Sequence, residues 1–209
     1  MKVTENVYLL DSTALSYAYL VYTPEPVLID TSMGFNGSRI LRELSSLGVN
    51  PKDIGHILIT HHDLDHIGSA ALLQEATGAT VWASAEDIPY IMVEKDRHSF
   101  KKYLSRIIRV KKPANLKAFS GNAINGIQIL PSPGHTPGHV CFLYDGVLFA
   151  GDLLENKKGK LIPYPAAWDW DYQQMLLSIK KIASIAFTWV CPAHGKPIQR
   201  GEQLASYSV

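Results

Sequence analysis

Thr60-His61-His62-Asp63-Leu64-Asp65-His66 follows the apolar run Ile57-Leu58-Ile59 and sets three imidazoles and two carboxylates within the six positions 61–66. Imidazole nitrogen and carboxylate oxygen are the borderline and hard donors that bind zinc, iron or manganese. Such density at the end of a strand-like run predicts a metal-binding loop carried on a rigid support. His61 and Asp63 share the i, i+2 relation that lets two side chains of an extended segment face one site. His62, between them, is expected to point elsewhere, to a backbone carbonyl or to the mouth of the site.

Upstream, residues 7–10, 17–22 and 27–29 are rich in valine, leucine and tyrosine and are separated by Pro24 and Pro26, which predicts a strand meander. Ile40, Leu41, Leu44 and Leu47 have helical spacing over 38–47, with Gly48 placed to end the helix. A strand over 55–60 then leads into the histidine run. Downstream, 67–76 reads as a helix stopped at Gly78 and 80–83 as a strand, and Ser84 with Glu86 and Asp87 resembles a helix start. From Phe100, the residues Tyr103, Leu104, Ile107 and Ile108 form an apolar stripe with Lys101, Lys102, Arg106 and Arg109 opposite. That pattern predicts a helix with its apolar side on a sheet and its basic side in solvent.

Strands return at 116–119, 127–130, 139–144 and 147–150, the last two joined by the hairpin dipeptide Asp145-Gly146. Tyr172, Met175, Leu176, Ile179 and Ile182 then share one face of a helix beginning at Asp171, and a strand follows at 187–191. Strands followed by a helix, twice, with no low-complexity tract between, predict one domain over 1–209 in which sheet packs on sheet with helices outside.

A chain of 209 residues can bury a core without disulfides. Its 20 lysines and arginines nearly balance 19 aspartates and glutamates, so charge points neither to nucleic acid nor to an anionic membrane. Cys141 and Cys191 sit in apolar contexts without CxxC spacing and read as buried, reduced thiols. The N-terminus lacks a secretory apolar region and no apolar run approaches the roughly 20 residues that span a bilayer, so a cytoplasmic protein is expected. The basic segment 95–112 lacks the interleaved aromatics of a single-strand binder and reads as a solvated face. A lid over the metal site and a homodimer contact are its other readings.

Further acidic and histidine positions end predicted strands: Asp30 after Val27-Leu28-Ile29, His135 in Pro133-Gly134-His135-Thr136-Pro137-Gly138-His139, Asp152 after Leu148-Phe149-Ala150-Gly151, and His194 in Cys191-Pro192-Ala193-His194-Gly195. Strand ends hold ligands rigidly, as a catalytic metal needs. His139 reads as structural, and His56 and His98 as ordinary surface residues. The aromatic segment 163–170 offers Tyr164 and Trp168 as candidate substrate contacts.

With these five ordered motifs the chain resembles the metallo-β-lactamase-fold hydrolases, over Asp30 to His194 and most closely in the glyoxalase II and lactonase-like branch. The resemblance implies an α/β (α+β) fold, a four-layer αββα sandwich of two mixed sheets with outer helices. It implies two divalent ions, zinc as the expected metal and iron or manganese as alternatives. His61, Asp63 and His135 would hold one ion, Asp65, His66 and His194 the other, with Asp152 bridging and Asp30 orienting the ligands. The usual residue at position 63 is histidine. A carboxylate there keeps a donor but lowers Lewis acidity and shifts preference toward iron or manganese, as in the flavodiiron branch.

The activity so implied is hydrolysis of a small ester-like substrate, a thioester or lactone, by a hydroxide bridging the two ions, with Asp65 moving the proton to the leaving group. Only about fifteen residues follow His194, so the added helical domain of glyoxalase II is expected to be absent. A non-haem iron oxygenase or oxidoreductase of the same fold, and a phosphodiesterase, are the alternatives.

Overall fold

Each half of the chain forms its own mixed β-sheet. The computed structural model describes residues 1–13, 15–98, 101–108 and 110–207, with the backbone alone for 104–106. It divides into two units, Met1–Phe119 and Ser120–Val209.

In the first unit β1 (Val7–Leu9), β2 (Tyr19–Val21) and β3 (Val27–Ile29) run antiparallel, and β4 (His56–Leu58), β5 (Thr80–Ala83) and β6 (Leu116–Ala118) continue the sheet in parallel from β3. Parallel neighbours need crossover connections. Here these are α1 (Gly37–Ser46) between β3 and β4, α2 (Leu64–Ile67) and α3 (Ala70–Thr77) between β4 and β5, and α4 (Ile88–Ile91) and α5 (Lys101–Ile107) between β5 and β6. Leu28, Ile40, Leu44, Ile57, Leu73 and Val81 are fully buried in one apolar cluster, which is what the periodicity of α1 and of the strands predicts.

The helix expected over 67–76 is instead two. Gly68 lies between them, where a Cβ would stand 2.4 Å from the backbone nitrogen of Gly34 and 2.6 Å from the carbonyl oxygen of Leu64, an approach only glycine allows. The helical turn therefore begins at Leu64, and Asp65 and His66 lie in α2 rather than in a loop.

The helix α5 departs further from its pattern. Tyr103 is 57% and Ile107 80% exposed, while Lys101, expected in solvent, is only 6% exposed. Phe100 and Arg109, and the side chains of Leu104 and Arg106, lie outside the described residues. Arg97, in the same basic segment, is buried too, so this stretch is not simply a solvated face.

In the second unit β7 (Ala123–Ile124), β8 (Ile127–Pro131), β9 (Val140–Tyr144) and β10 (Val147–Gly151) form an antiparallel series. A separate hairpin, β11 (Leu154–Lys157) with β12 (Lys160–Pro163), follows, then α6 (Tyr172–Ala183), β13 (Trp189–Pro192) parallel to β10, and β14 (Ile198–Gln199) at the edge. Asp145 (φ 47°) and Gly146 (φ 71°) both adopt the left-handed region that a tight β9–β10 turn requires. Cys141, Leu148, Leu153, Met175, Ile179 and Val190 are among the buried residues of this unit's core. Strands β7, β11, β12 and β14 were not expected from the sequence, since segments this short lack an alternating apolar pattern.

Both sheets deliver chemistry at the carboxyl ends of parallel strands, where open α/β sheets place their ligands. Pairing of Ile29 with Leu58 sets Asp30 beside the start of the histidine run. Pairing of Gly151 with Pro192 sets Asp152 near the His194 turn. No helix among the described residues is long and apolar enough to cross a membrane.

Candidate functional site

In the first unit the residues that follow β3 and β4 lock together. Asp30, buried and in the left-handed region at φ 57°, accepts from the Thr60 backbone N–H at 2.8 Å, from the Thr60 hydroxyl at 2.7 Å and from His66 Nδ1 at 2.9 Å. A carboxylate in this setting only accepts, so His66 carries its proton on Nδ1 and presents Nε2. The Thr60 hydroxyl is spent on Asp30, so its oxygen accepts from His61 Nδ1 at 3.0 Å, which leaves His61 with Nε2 facing the site as well. The two rings lie 3.8 Å apart. Thr31 donates its backbone N–H and its hydroxyl to the His66 carbonyl, at 2.8 and 2.7 Å, tying the two strand ends. Asp65 Oδ2 stands 3.7 Å from His66 Nε2, and its side chain is 29% exposed, open enough to meet a substrate.

In the second unit His135, Asp152 and His194 converge. Asp152 Oδ2 lies 3.5 Å from His135 Nε2 and Asp152 Oδ1 lies 3.4 Å from His194 Nε2, so each oxygen of one carboxylate faces a different imidazole. His135 donates from Nδ1 to Asp169 Oδ1 at 2.8 Å, which fixes its tautomer as Asp30 fixes that of His66. The loop is held by α6: a Cβ on Gly134 (φ 140°) would stand 2.3 Å from the Met175 backbone. The carbonyls of Gly134 and His135 accept from Asp171 and Trp170 N–H at 2.8 and 3.0 Å. His139 accepts the Asp152 N–H at Nε2 (3.2 Å) and donates from Nδ1 to Ser132 Oγ (3.0 Å), whose hydroxyl donates to Cys141 Sγ (3.3 Å). With both nitrogens so used, His139 braces the Asp152 turn.

His62 turns from its neighbours. Its ring stacks on Tyr90 with centroids 4.5 Å apart, its Nδ1 lies 3.0 Å from Asp87 Oδ2, and its carbonyl accepts from Arg97. The ring thus lies beside a buried carboxylate, which accepts the His62 backbone N–H at 2.9 Å, and not against the expected backbone carbonyl. Arg97 is held below its usual guanidinium pKa range by burial, against the pull of Asp63 and Asp87. Asp63 Oδ2 lies 3.7 Å from His61 Nε2, and the same oxygen accepts from Lys101 Nζ at 2.5 Å. Tyr164 has its ring centroid 5.1 Å from those of both His135 and His194, and Trp168 is 39% exposed. His98 is exposed, whereas His56 is half-buried, accepting from Trp82 Nε1 at 3.1 Å beside Glu25.

Sequence reading missed Asp169, Asp87, Ser16 and Lys101. Asp169 sits between two tryptophans with no pattern to mark it, and Ser16 Oγ reaches to 3.4 Å from His66 Nε2 from a segment without a motif. Asp87 carried only a helix-start signal, which its N–H does satisfy by bonding Ser84 Oγ at 3.2 Å.

The donor set fits a divalent cation. Nitrogen–oxygen separations of 3.4 to 3.7 Å exceed a charge-assisted hydrogen bond of roughly 2.7–2.9 Å. They match neighbouring donors on one tetrahedral ion, where bonds of about 2.1 Å place ligand atoms about 3.4 Å apart. The sequence also matches the family model described as "Metallo-beta-lactamase superfamily" over residues 13–194. The chain belongs to the metallo-beta-lactamase superfamily. It is a metallo-hydrolase of that superfamily, with the α/β fold of two mixed sheets and helices.

One relative in the superfamily is "Hydroxyacylglutathione hydrolase GloC" of Haemophilus influenzae, 27% identical over 190 residues that make up 84% of this chain and 82% of the relative. A solved metallo-beta-lactamase family protein from Thermus thermophilus shares the fold at a TM-score of 0.77 and 22% identity, covering 98% of this chain and 79% of its own. Another solved structure, "TTHA1623 in a di-iron-bound form", has a TM-score of 0.69 and 29% identity, covering 88% and 89% of the two chains.

Proposed function

We propose that this metallo-hydrolase is dinuclear and cleaves a small ester-like substrate, a thioester or lactone. The observation that carries the reading is Asp152, whose two carboxylate oxygens face two different imidazoles, the arrangement a bridging ligand needs. His61, Asp63 and His135 would hold one ion and Asp65, His66 and His194 the other, with Asp152 shared. Bound divalent ions would supply an acidified water, its pKa lowered toward about 7, and polarise the scissile carbonyl.

The chain's own residues do the rest. Asp30 and Asp169 keep His66 and His135 in the tautomer that presents Nε2. Asp65, half-open beside His66, takes the proton of the attacking water and returns it to the leaving sulfur or oxygen. Tyr164, between the rings of His135 and His194, directs its phenol at the substrate carbonyl, and Trp168 supplies an apolar wall. The thioester preference rests on the resemblance to a hydroxyacylglutathione hydrolase. Zinc as the resident metal, a small molecule rather than nucleic acid or membrane as partner, and a cytoplasmic location belong to the same proposal.

A second reading, an iron-dependent oxygenase or oxidoreductase, is favoured by the hard carboxylate at Asp63 and by the di-iron form of one relative. One experiment separates the two: metal analysis of the purified protein alongside turnover of thioesters, lactones and phosphodiesters and measurement of oxygen uptake. Ester turnover abolished by chelator and restored by zinc is the expected result. Stoichiometric iron with oxygen consumption and no ester turnover overturns it.

A further inference from the structure

Position 63 carries an extra negative charge relative to the histidine usual there, and the fold answers it with a lysine. Lys101 Nζ lies 2.5 Å from Asp63 Oδ2, with both side chains nearly buried, at 8% and 11% exposure. The oxygen so engaged is also the one that stands 3.7 Å from His61 Nε2, whereas Oδ1 is turned to His62 Nε2 at 3.8 Å. Lys101 therefore meets the oxygen that stands by His61 Nε2, not the one turned to His62.

The helix bears the mark of this contact. By hydrophobic pattern α5 should bury Tyr103 and Ile107, yet both are exposed while Lys101 is inside. A buried carboxylate without a counter-charge costs more than leaving apolar surface in water, so the ion pair sets the rotation of the helix. Arg97, four residues earlier, is turned the same way and bonds the His62 carbonyl through Nε and Nη2.

We propose that Lys101 is a positioning residue that competes with metal for Asp63. Its ammonium and a divalent ion would share Oδ2, which weakens the metal position of His61 and Asp63 relative to the same donors without the lysine. The proposal rests on the dinuclear reading above. An ammonium and a metal ion draw on the same electron pairs of one oxygen, so each lowers the other's hold.

The test is equilibrium titration of the metal-free protein with zinc, read by calorimetry and by metal content after dialysis, independently of activity. The wild type is expected to bind one ion tightly and a second at least tenfold more weakly. Lys101→Met should strengthen the weaker binding by on the order of tenfold and leave the tight one unchanged. It should also lower the Tm of the metal-free protein, because Asp63 then keeps a buried charge, with zinc restoring it. Lys101→Arg, which keeps the charge, should behave as wild type. In an Asp63→Asn background Lys101→Met should change nothing, since the shared oxygen is no longer anionic.

Lys101→Gln, which removes the charge but keeps a polar head, gives the same reading if the methionine variant fails to fold. Unchanged or weakened zinc binding on loss of the Lys101 charge overturns the competition and leaves the hydrolase reading intact. A wild type that takes up no zinc at either position overturns the hydrolase reading and the competition with it.

Discussion

The donor sets of the two units are built by the same rule and neutralised by different means. Each hangs from the carboxyl ends of parallel strands, β3 and β4 in one and β10 and β13 in the other. Each fixes an imidazole with a buried carboxylate, Asp30 on His66 and Asp169 on His135. In the second unit the central carboxylate, Asp152, faces imidazole nitrogens across 3.4 and 3.5 Å. In the first, Asp63 already has a protein cation on it. The fold thus delivers both sets alike, and α5 places a lysine on the first.

Substitutions break this comparison from the second unit first. Asp152→Ala removes the donor common to both imidazoles, so metal content measured by plasma emission should fall below one ion per chain. Ester turnover should drop by on the order of a thousandfold or more. Retention of two ions at full occupancy would show that Asp152 does not bridge.

Asp30→Ala strikes the support of the first unit and should be felt in the fold itself. It leaves the Thr60 N–H, the Thr60 hydroxyl and His66 Nδ1 without their common acceptor, for an expected loss of about 3 kcal/mol. Chemical denaturation of the metal-free protein measures it, and an unchanged midpoint refutes the cost. Asp169→Asn is the matching change in the second unit. It keeps a hydrogen-bonding oxygen but not the charge that holds His135, so metal affinity should fall about 10–100-fold with the thermal transition little moved. Equal losses of stability in both variants would erase the distinction between a carboxylate that ties two strands and one that only orients a ring.

The smallest effect near neutral pH concerns the thiols beneath the Asp152 turn. Burial pushes Cys141 up to about 12 from the ordinary 9.0, against the downward pull of Ser132, and raises Cys191 well above that ordinary value. A raised thiol pKa means that the folded state holds its proton more tightly than the unfolded chain. The associated stability is complete below pH 9 and is lost as pH rises toward 12, by at most about 1.4 kcal/mol per pH unit per thiol. Denaturation midpoints across that window should decline, and the native protein should not react with a thiol reagent at pH 8. Rapid labelling at that pH contradicts the burial.

Much of this was legible in the sequence because strand-end ligands leave a double signal, an apolar run followed by a polar turn. Asp30, Asp152 and His194 each stand at such a junction, and His61 to His66 condense it into one stretch. His139, read as structural from its loop, lies between Ser132 and the Asp152 N–H, which gives both ring nitrogens to the protein. What stayed hidden lacked periodicity or obeyed a stronger force than hydrophobic burial. Asp169 is recognisable only once Trp170 and Asp171 bond the His135 loop. Lys101 was assigned to solvent by a helical stripe that the charge of Asp63 overrides. Gly68 is required by the passing backbone of Gly34, a steric reason that no local pattern reports.

The central claim is most directly tested by anomalous diffraction from crystals grown with saturating zinc. The account predicts two peaks, one contacted by Asp152 Oδ2 with His135 and the other by Asp152 Oδ1 with His194, with the peak nearer His61 and Asp63 losing occupancy first on back-soaking. A single peak, or two peaks of which neither touches Asp152, would contradict it.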